Sequence, residues 1–170
     1  MQKLLGLVIV ACLVQAPAFA MVIGKVDVQK ILVSIKEGVK VRDELKGTFD
    51  KRQKELQKEE EAIRKQQEDL QKQASVLSEA ARGKKEKDIQ DLIVALQNKS
   101  TGYQKELQEL ENKKKKPILD KIKGIIDEVS KKSDVDVTFE ASTAPVIYAK
   151  QEKDLTDEVI ASYDKKYPAK

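Results

Sequence analysis

The sequence predicts an α+β protein that is mostly α: a long antiparallel coiled-coil hairpin projecting from a small body of short β-strands. Three observations carry this. Phe49, Leu56, Ile63, Leu70 and Leu77 recur every seventh position in a stretch dominated by Lys, Glu, Gln and Asp, and a seven-residue repeat keeps one apolar stripe facing a partner helix. A second stripe runs Ile89, Ile93, Leu96, Tyr103, Leu107 and Leu110, then Ile118, Ile122, Ile125 and Val129. Short segments with strand-like alternation lie outside both stripes.

The chain opens with Met1-Gln2-Lys3, an apolar run from Leu4 to Val14, then Pro17 and the small-x-small triplet Ala18-Phe19-Ala20. That is the pattern of a secretory signal peptide over residues 1–20, cleaved after Ala20, and it predicts export. The run is too short to span a bilayer comfortably. Ile9-Val10-Ala11-Cys12 also resembles a lipid-attachment tetrapeptide, but the apolar run continues through Leu13-Val14 and no polar tether follows. Cys12 is therefore read as part of the discarded signal. The mature chain then has no cysteine, and its stability must come from packing or assembly.

Of the mature residues, Met21 to Val28 alternate Val22, Gly24, Val26 and Val28 against Ile23, Lys25 and Asp27, as a short strand does. From Val28 the spacing turns helical through Ile31, Leu32, Ile35 and Val39, with Asp27 placed to cap the first turn. Ser34-Ile35-Lys36-Glu37 matches a capping box at the start of the long helix. No proline interrupts Ile35 to Leu77, and at 1.5 Å per residue that stretch predicts an arm about 60 Å long. Ser78 to Lys84, with Gly83, is the expected reversal, and a returning helix from Lys85 to Val129 has nearly the same length.

The predicted seam is poorly filled. Arg52, Glu59, Gln66 and Gln73 occupy inward positions of the first arm, and Ser100 and Lys114 lie near the seam of the second. Polar seam positions weaken a zipper. Gly102 and Pro117 add soft points, since proline inside a helix costs about 3 kcal/mol. Arms that bend or splay are expected.

After the hairpin, Asp134 to Glu140 alternates without error and predicts a strand. A loop from Ala141 to Pro145 follows, then a third strand over Val146-Ile147-Tyr148-Ala149. Thr156 is placed to cap a last helix, with Asp157 and Glu158 in its first turn and Leu155 stapled onto Ile160. Tyr163 to Lys170 is expected to fray. The domain boundaries are thus a body of 21–34 with 132–170, and an arm of 35–131 with its tip near 78–84. Such a body rarely supplies more than about 3 to 5 kcal/mol by itself, and short strand edges with one apolar face invite pairing. Oligomerisation through Val22, Val26, Val135, Val137, Phe139 and Val146 is expected.

Composition narrows the function. The chain has no histidine, which removes imidazole chemistry, and no glycine-rich loop follows a strand to cradle phosphates. Acidic groups such as Glu59-Glu60-Glu61 read as a solvated helix face. No enzyme activity, cofactor or metal is predicted. The formal charge is +4, of which Lys3 contributes one, so the mature chain carries +3. That balance demands neither nucleic acid nor membrane, and nucleic acid is not an expected partner.

Two basic groups stand out. Lys113 to Lys116, with Lys121 and Lys123, is either an anion-binding or client-attracting patch or simply a hydrated helix surface, partly neutralised by Glu106, Glu109 and Glu111. Arg82, Lys84, Lys85 and Lys87 sit at the predicted tip. Beside them Ala74, Val76, Leu77, Ala80 and Ala81 form the least polar part of the hairpin, which either closes its end or offers weak apolar contacts to unfolded polypeptide. Val76, Leu77, Ala80, Arg82, Lys84 and Lys85 are the candidate client-binding residues.

The arrangement resembles the Skp/OmpH family of periplasmic chaperones. The resemblance rests on the signal peptide, Ile23-Gly24-Lys25-Val26-Asp27-Val28-Gln29-Lys30-Ile31, the charged hairpin, Pro117-Ile118-Leu119-Asp120-Lys121-Ile122, Asp134-Val135-Asp136-Val137 and Asp154-Leu155-Thr156-Asp157-Glu158-Val159-Ile160. It covers essentially the mature chain. It implies a periplasmic homotrimer whose strands build a shared barrel with three hairpins around a cavity. It further implies an ATP-independent holdase for unfolded outer-membrane proteins. Anionic lipid or lipopolysaccharide is a separate candidate contact, on which the sequence does not decide. The alternative is a coiled-coil spacer of the cell envelope, lipid-anchored through Cys12, which would call for a better-filled seam.

Overall fold

A computed structural model describes residues 21–169. The expected signal peptide and Cys12 lie outside them. The order is β1 (Ile23–Val26), α1 (Val28–Ser34), α2 (Lys36–Gln73), α3 (Glu79–Lys132), β2 (Val137–Glu140), β3 (Glu152–Asp154) and α4 (Thr156–Lys166). At 1.5 Å per residue the 38-residue α2 is about 57 Å long and the 54-residue α3 about 81 Å. No helix among the described residues is long and apolar enough to cross a membrane.

The body is a three-stranded parallel sheet in the order β2-β1-β3. Ile23 pairs with Val137 and with Glu152, and Lys25 with Phe139 and with Asp154. One face of β1, Gly24 and Val26, is buried against the helices. The core there is Ile31, Leu32, Ile35, Ile118, Ile122, Ile125, Val129, Leu155, Val159 and Tyr163. Gly24 belongs at this packed face because a Cβ would lie 2.8 Å from Thr138 Oγ1.

Asp27 caps α1 as its side chain accepts from Lys30 N at 2.7 Å. The expected capping box at Ser34 does not form. Ser34 ends α1, Ile35 takes the extended N-cap position of α2 without a side-chain bond, and Glu37 turns to other partners. Gly38 makes the close α1–α2 junction possible: a Cβ would lie 1.8 Å from the Leu32 carbonyl oxygen.

The reversal occupies 74–78 rather than 78–84, and Gly83 lies within α3. Ser78 accepts from Ala81 N at 3.3 Å, with Glu79 in the first turn of α3. A capped, dipole-matched start contributes about as much as a mid-helix glycine costs, roughly 1 kcal/mol, so the helix runs through Gly83. It also runs through Pro117, whose neighbours Ile118 and Ile122 are buried. The helix ends in a Schellman turn at Asp134, with φ 53°: Asp134 N donates to Lys131 O and Val135 N to Ser130 O.

Three further expectations are corrected at the C-terminal side. Val146–Ala149 forms no strand; Ile147 is 100% and Tyr148 83% exposed. The third strand is instead the charged Glu152–Asp154, fixed by Ile23 N to Gln151 O and Leu155 N to Lys25 O, with a Lys25–Glu152 ion pair at 2.6 Å. Backbone pairing and charge matching here override β-propensity. The tail from Tyr163 does not fray at its start, because α4 continues to Lys166 and Tyr163 is fully buried. Thr156 is the first residue of α4, its N–H bound by Asp154 Oδ1 and its hydroxyl accepting from Asp27 N, so Asp154 supplies the cap expected of Thr156.

Candidate functional site

The arm owes its shape to a ladder of polar contacts between α2 and α3. Glu37 pairs with Lys121 at 2.8 Å, Glu44 with Lys114 at 2.8 Å, Arg52 with Glu106 at 2.8 Å, and Glu59 with Lys99. Steps of seven or eight residues up α2 match the same steps down α3, so a single antiparallel register holds throughout. Near the tip Lys85 Nζ donates to Gln73 Oε1 at 2.8 Å. The splaying expected of a half-polar seam is therefore not seen. Arg52, Glu59, Gln73 and Lys114 bridge the arms.

Apolar packing thins along the arm. Beyond the root, Ile63 and Ile89 are the buried hydrophobic residues of the distal arm, while Leu56, Leu70, Ile93, Leu96 and Leu107 are half-buried. Phe49 is 51% exposed although it starts the heptad stripe. An α-helix drifts about 20° per heptad from a strict seven-residue repeat, so two heptads from Ile63 the position has rotated by roughly 40°. Between the apolar zones the guanidinium of Arg52 lies 4.4 Å from the Tyr103 ring centroid, and the Tyr103 hydroxyl donates to Glu55 at 2.6 Å.

At the tip, Val76 lies in the turn and is 80% exposed, and Leu77 is half-buried. Ala80, Arg82, Lys84 and Lys85 fall in the first two turns of α3 and are exposed. Ala80 and Lys84 share a side, whereas Arg82 is about 200° around the axis from each. Arg82 pairs with Glu86 at 2.8 Å and Lys85 is bound to Gln73. Ala80 and Lys84 thus share one side of α3 while Arg82 faces away, so the six residues do not form one patch.

The six residues expected at an oligomer interface divide by face. Val26, 3% exposed, belongs to its own chain's core, and Val135 packs against that core. Val26 is therefore removed from the candidate interface, because side chains alternate across a strand and its turn faces inward. Val137 and Phe139 share the opposite sheet face with Ile23 and Lys25. Val137 is 38% exposed and Phe139 half-buried. Val22 is half-buried at the entry to β1, its N–H bound to Asp136 Oδ2 at 2.7 Å, and Val146 is half-buried in the β2–β3 loop rather than in a strand.

A network not anticipated from the sequence joins arm to body. Tyr163 of α4 and Lys121 of α3 both donate to the Glu37 carboxylate. Burial pushes Glu37 upward, but these bonds and the Lys121 charge outweigh it and hold the carboxyl below its usual range. Burial and the same carboxylate push the Tyr163 hydroxyl well up. Glu37 lies in the first turn of α2, and nothing in the local sequence pattern marks its partner 126 positions away. Among the described residues no cluster of His, Cys, Asp or Glu is arranged to hold a metal ion.

Comparison with solved structures finds a Caulobacter crescentus protein described as a candidate OmpH-like outer membrane chaperone. It shares 20% identity, covers 91% of this chain and 90% of its own, and superposes with a TM-score of 0.74. That likeness establishes the fold. Comparison with curated proteins finds no match. The family profile described as outer membrane protein (OmpH-like) matches residues 22–163, and the chain belongs to that family.

Proposed function

We propose that the protein is an ATP-independent holdase chaperone of the periplasm that binds unfolded outer-membrane proteins and keeps them from aggregating. The observation that carries this is the arm: beyond its root Ile63 and Ile89 are buried, and the rest of the seam mixes half-buried leucines and isoleucines with the Arg52–Glu106 and Glu59–Lys99 ion pairs. Such a surface offers many weak polar and apolar contacts, which suits clients of varied sequence. Family membership supports the same reading.

The small body supports assembly. A three-stranded sheet with Ile23, Val137 and Phe139 on its outer face leaves apolar area that a second copy would cover. We read the working unit as a homotrimer with the bodies joined and the arms enclosing the client. The exposed Val76, Ala80 and Lys84 at the tip serve as client contacts in this reading.

The test is dilution of a urea-unfolded outer-membrane barrel protein into buffer containing the purified protein without nucleotide, followed by light scattering and complex mass. Suppressed aggregation with three copies per client supports the proposal. Undiminished aggregation with the oligomer intact overturns it and favours an envelope spacer.

A further inference from the structure

The loop between β2 and β3 presents Ile147 and Tyr148 to solvent, 100% and 83% exposed. From Ala141 to Ala149 it has no charged residue, in a chain that is 36% charged. A lone exposed apolar residue is ordinary, but adjoining isoleucine and tyrosine on an uncharged loop mark a contact surface. The loop is also pinned at both ends. The Glu140 carboxylate accepts from Ser142 N at 3.0 Å and Thr143 N at 2.7 Å, and Ile23 N donates to Gln151 O at 3.1 Å. A held frame lowers the ordering cost of docking.

The same chain carries an unfilled apolar slot. About 250 Å³ in volume, it opens between α1, α2 and α3. The buried Leu32, Val41 and Ile118 line it, with half-buried Leu45 and the 54% exposed Val33. Its charged lining is matched within the chain: Arg42 pairs with Asp43 at 3.1 Å and Lys115 with Glu111. The slot therefore asks for a neutral, apolar occupant. It is smaller than the roughly 300 to 1,000 Å³ of small-molecule sites, and suits an aliphatic side chain better than a cofactor. The chain's own Ile147 is fully exposed and does not fill it.

We propose that the Ile147–Tyr148 loop of one copy docks in the α1–α2–α3 slot of a second copy, Ile147 entering it and Tyr148 covering Val33. Loop and slot are different surfaces, so the contact is head-to-tail. A pair of chains joined by one such contact leaves one loop and one slot open, whereas a ring fills every slot. The proposal rests on the homotrimer reading, in which three contacts close that ring. It adds a second contact to the outer sheet face, since Ile23, Val137 and Phe139 lie on the side of the sheet away from the helices.

Cysteine cross-linking tests it in chains that start at Met21, which carry no native cysteine. Ile147→Cys and Val33→Cys are made separately and together, and the mass before oxidation is read by light scattering. The double variant should oxidise to a covalent trimer on a denaturing gel. The two single variants, unfolded together in urea and refolded as a mixture, should give a covalent dimer that neither gives alone. Ile147→Asp, at a position outside the protomer core, should raise the concentration at which the oligomer dissociates at least tenfold. An intact trimer that forms no cross-link would overturn the docking and leave the homotrimer standing, whereas a single-chain mass would overturn both. Self-linking of Ile147→Cys alone, or an Ile147→Asp variant that assembles normally but loses binding to vesicles or to unfolded client, would also overturn it.

Discussion

The hydroxyl of Tyr163 donates to Glu37 Oε2 at 2.5 Å, joining the last helix of the chain to the first turn of the arm across 126 positions. Lys121 holds the same carboxylate from the returning helix. One acid thereby ties three helices at the point where arm meets body.

Tyr163→Phe should keep the buried ring and delete only this bond. A hydrogen bond to a charged group contributes about 1.5 to 3 kcal/mol, and the partial exposure of Glu37 brings the expected loss to about 1 kcal/mol. Urea unfolding followed by circular dichroism reads it. An unchanged midpoint would mean that Lys121 alone secures Glu37.

Arg52 and Glu106 should behave as a register pair. Arg52→Glu or Glu106→Arg alone places like charges across the seam, and the two together restore the attraction. We expect a coupling of about 0.5 to 1 kcal/mol in a double-mutant cycle, shrinking at high salt. Simple additivity of the two changes would show that packing alone sets the register.

Three glycines should respond in different ways. Gly38→Ala forces a Cβ toward the Leu32 carbonyl and should cost more than about 2 kcal/mol. Gly83→Ala, with no atom within 4 Å of the added carbon, should stabilise by about 0.5 to 1 kcal/mol. Gly24→Ala meets the Thr138 hydroxyl at 2.8 Å and should fall between them. Thermal denaturation of the three variants gives the order directly.

Acid should weaken the fold in a defined window. Glu140 is lowered to about 2 by hydrogen bonds from Ser142 and Thr143, and Glu37 is also held below its usual 4.5. A carboxyl whose folded pKa is depressed contributes its full stability above the unfolded pKa and loses it as pH falls through the folded one. Stability should therefore decline from about pH 4.5 towards 2, and Glu140→Gln should flatten part of that decline. A pH profile of the variant parallel to that of the parent would exclude Glu140 as a contributor.

Val137→Asp together with Phe139→Asp places charge on the outer sheet face without entering the protomer core. If that face joins copies, the mass by light scattering should drop to that of the single chain, because burying unpaired charge is costly. An undiminished mass would move the interface elsewhere.

The arm could be read from the sequence because its apolar period is long and sustained, so Ile63 and Ile89 end up at the seam as expected. The tip was misplaced by several residues because Gly83 is a strong local signal, whereas the Ser78 cap acts through cooperative helix formation beyond it. The third strand was misassigned for a related reason. Val146 to Tyr148 has strand propensity, but Glu152 to Asp154 has the backbone partners and the Lys25 charge. The tip residues were nominated by composition, which carries no angular information, and so Arg82 and Lys84 were grouped although the helix turns them apart. The Glu37–Tyr163 bond left no trace in local pattern because its partners lie 126 positions apart.

The sheet also dictates an order of events. Its central strand β1 is synthesised first and its two neighbours last, with Val22 and Asp136 separated by 114 positions. Closing so long a loop directly is slow, whereas α2 and α3 can zip from the nearby turn at 74–78 and carry the chain ends together. The arm is thus expected to act during folding as the splint on which the sheet is assembled. A lesion at the tip should slow the appearance of the body even where it leaves the finished structure unchanged.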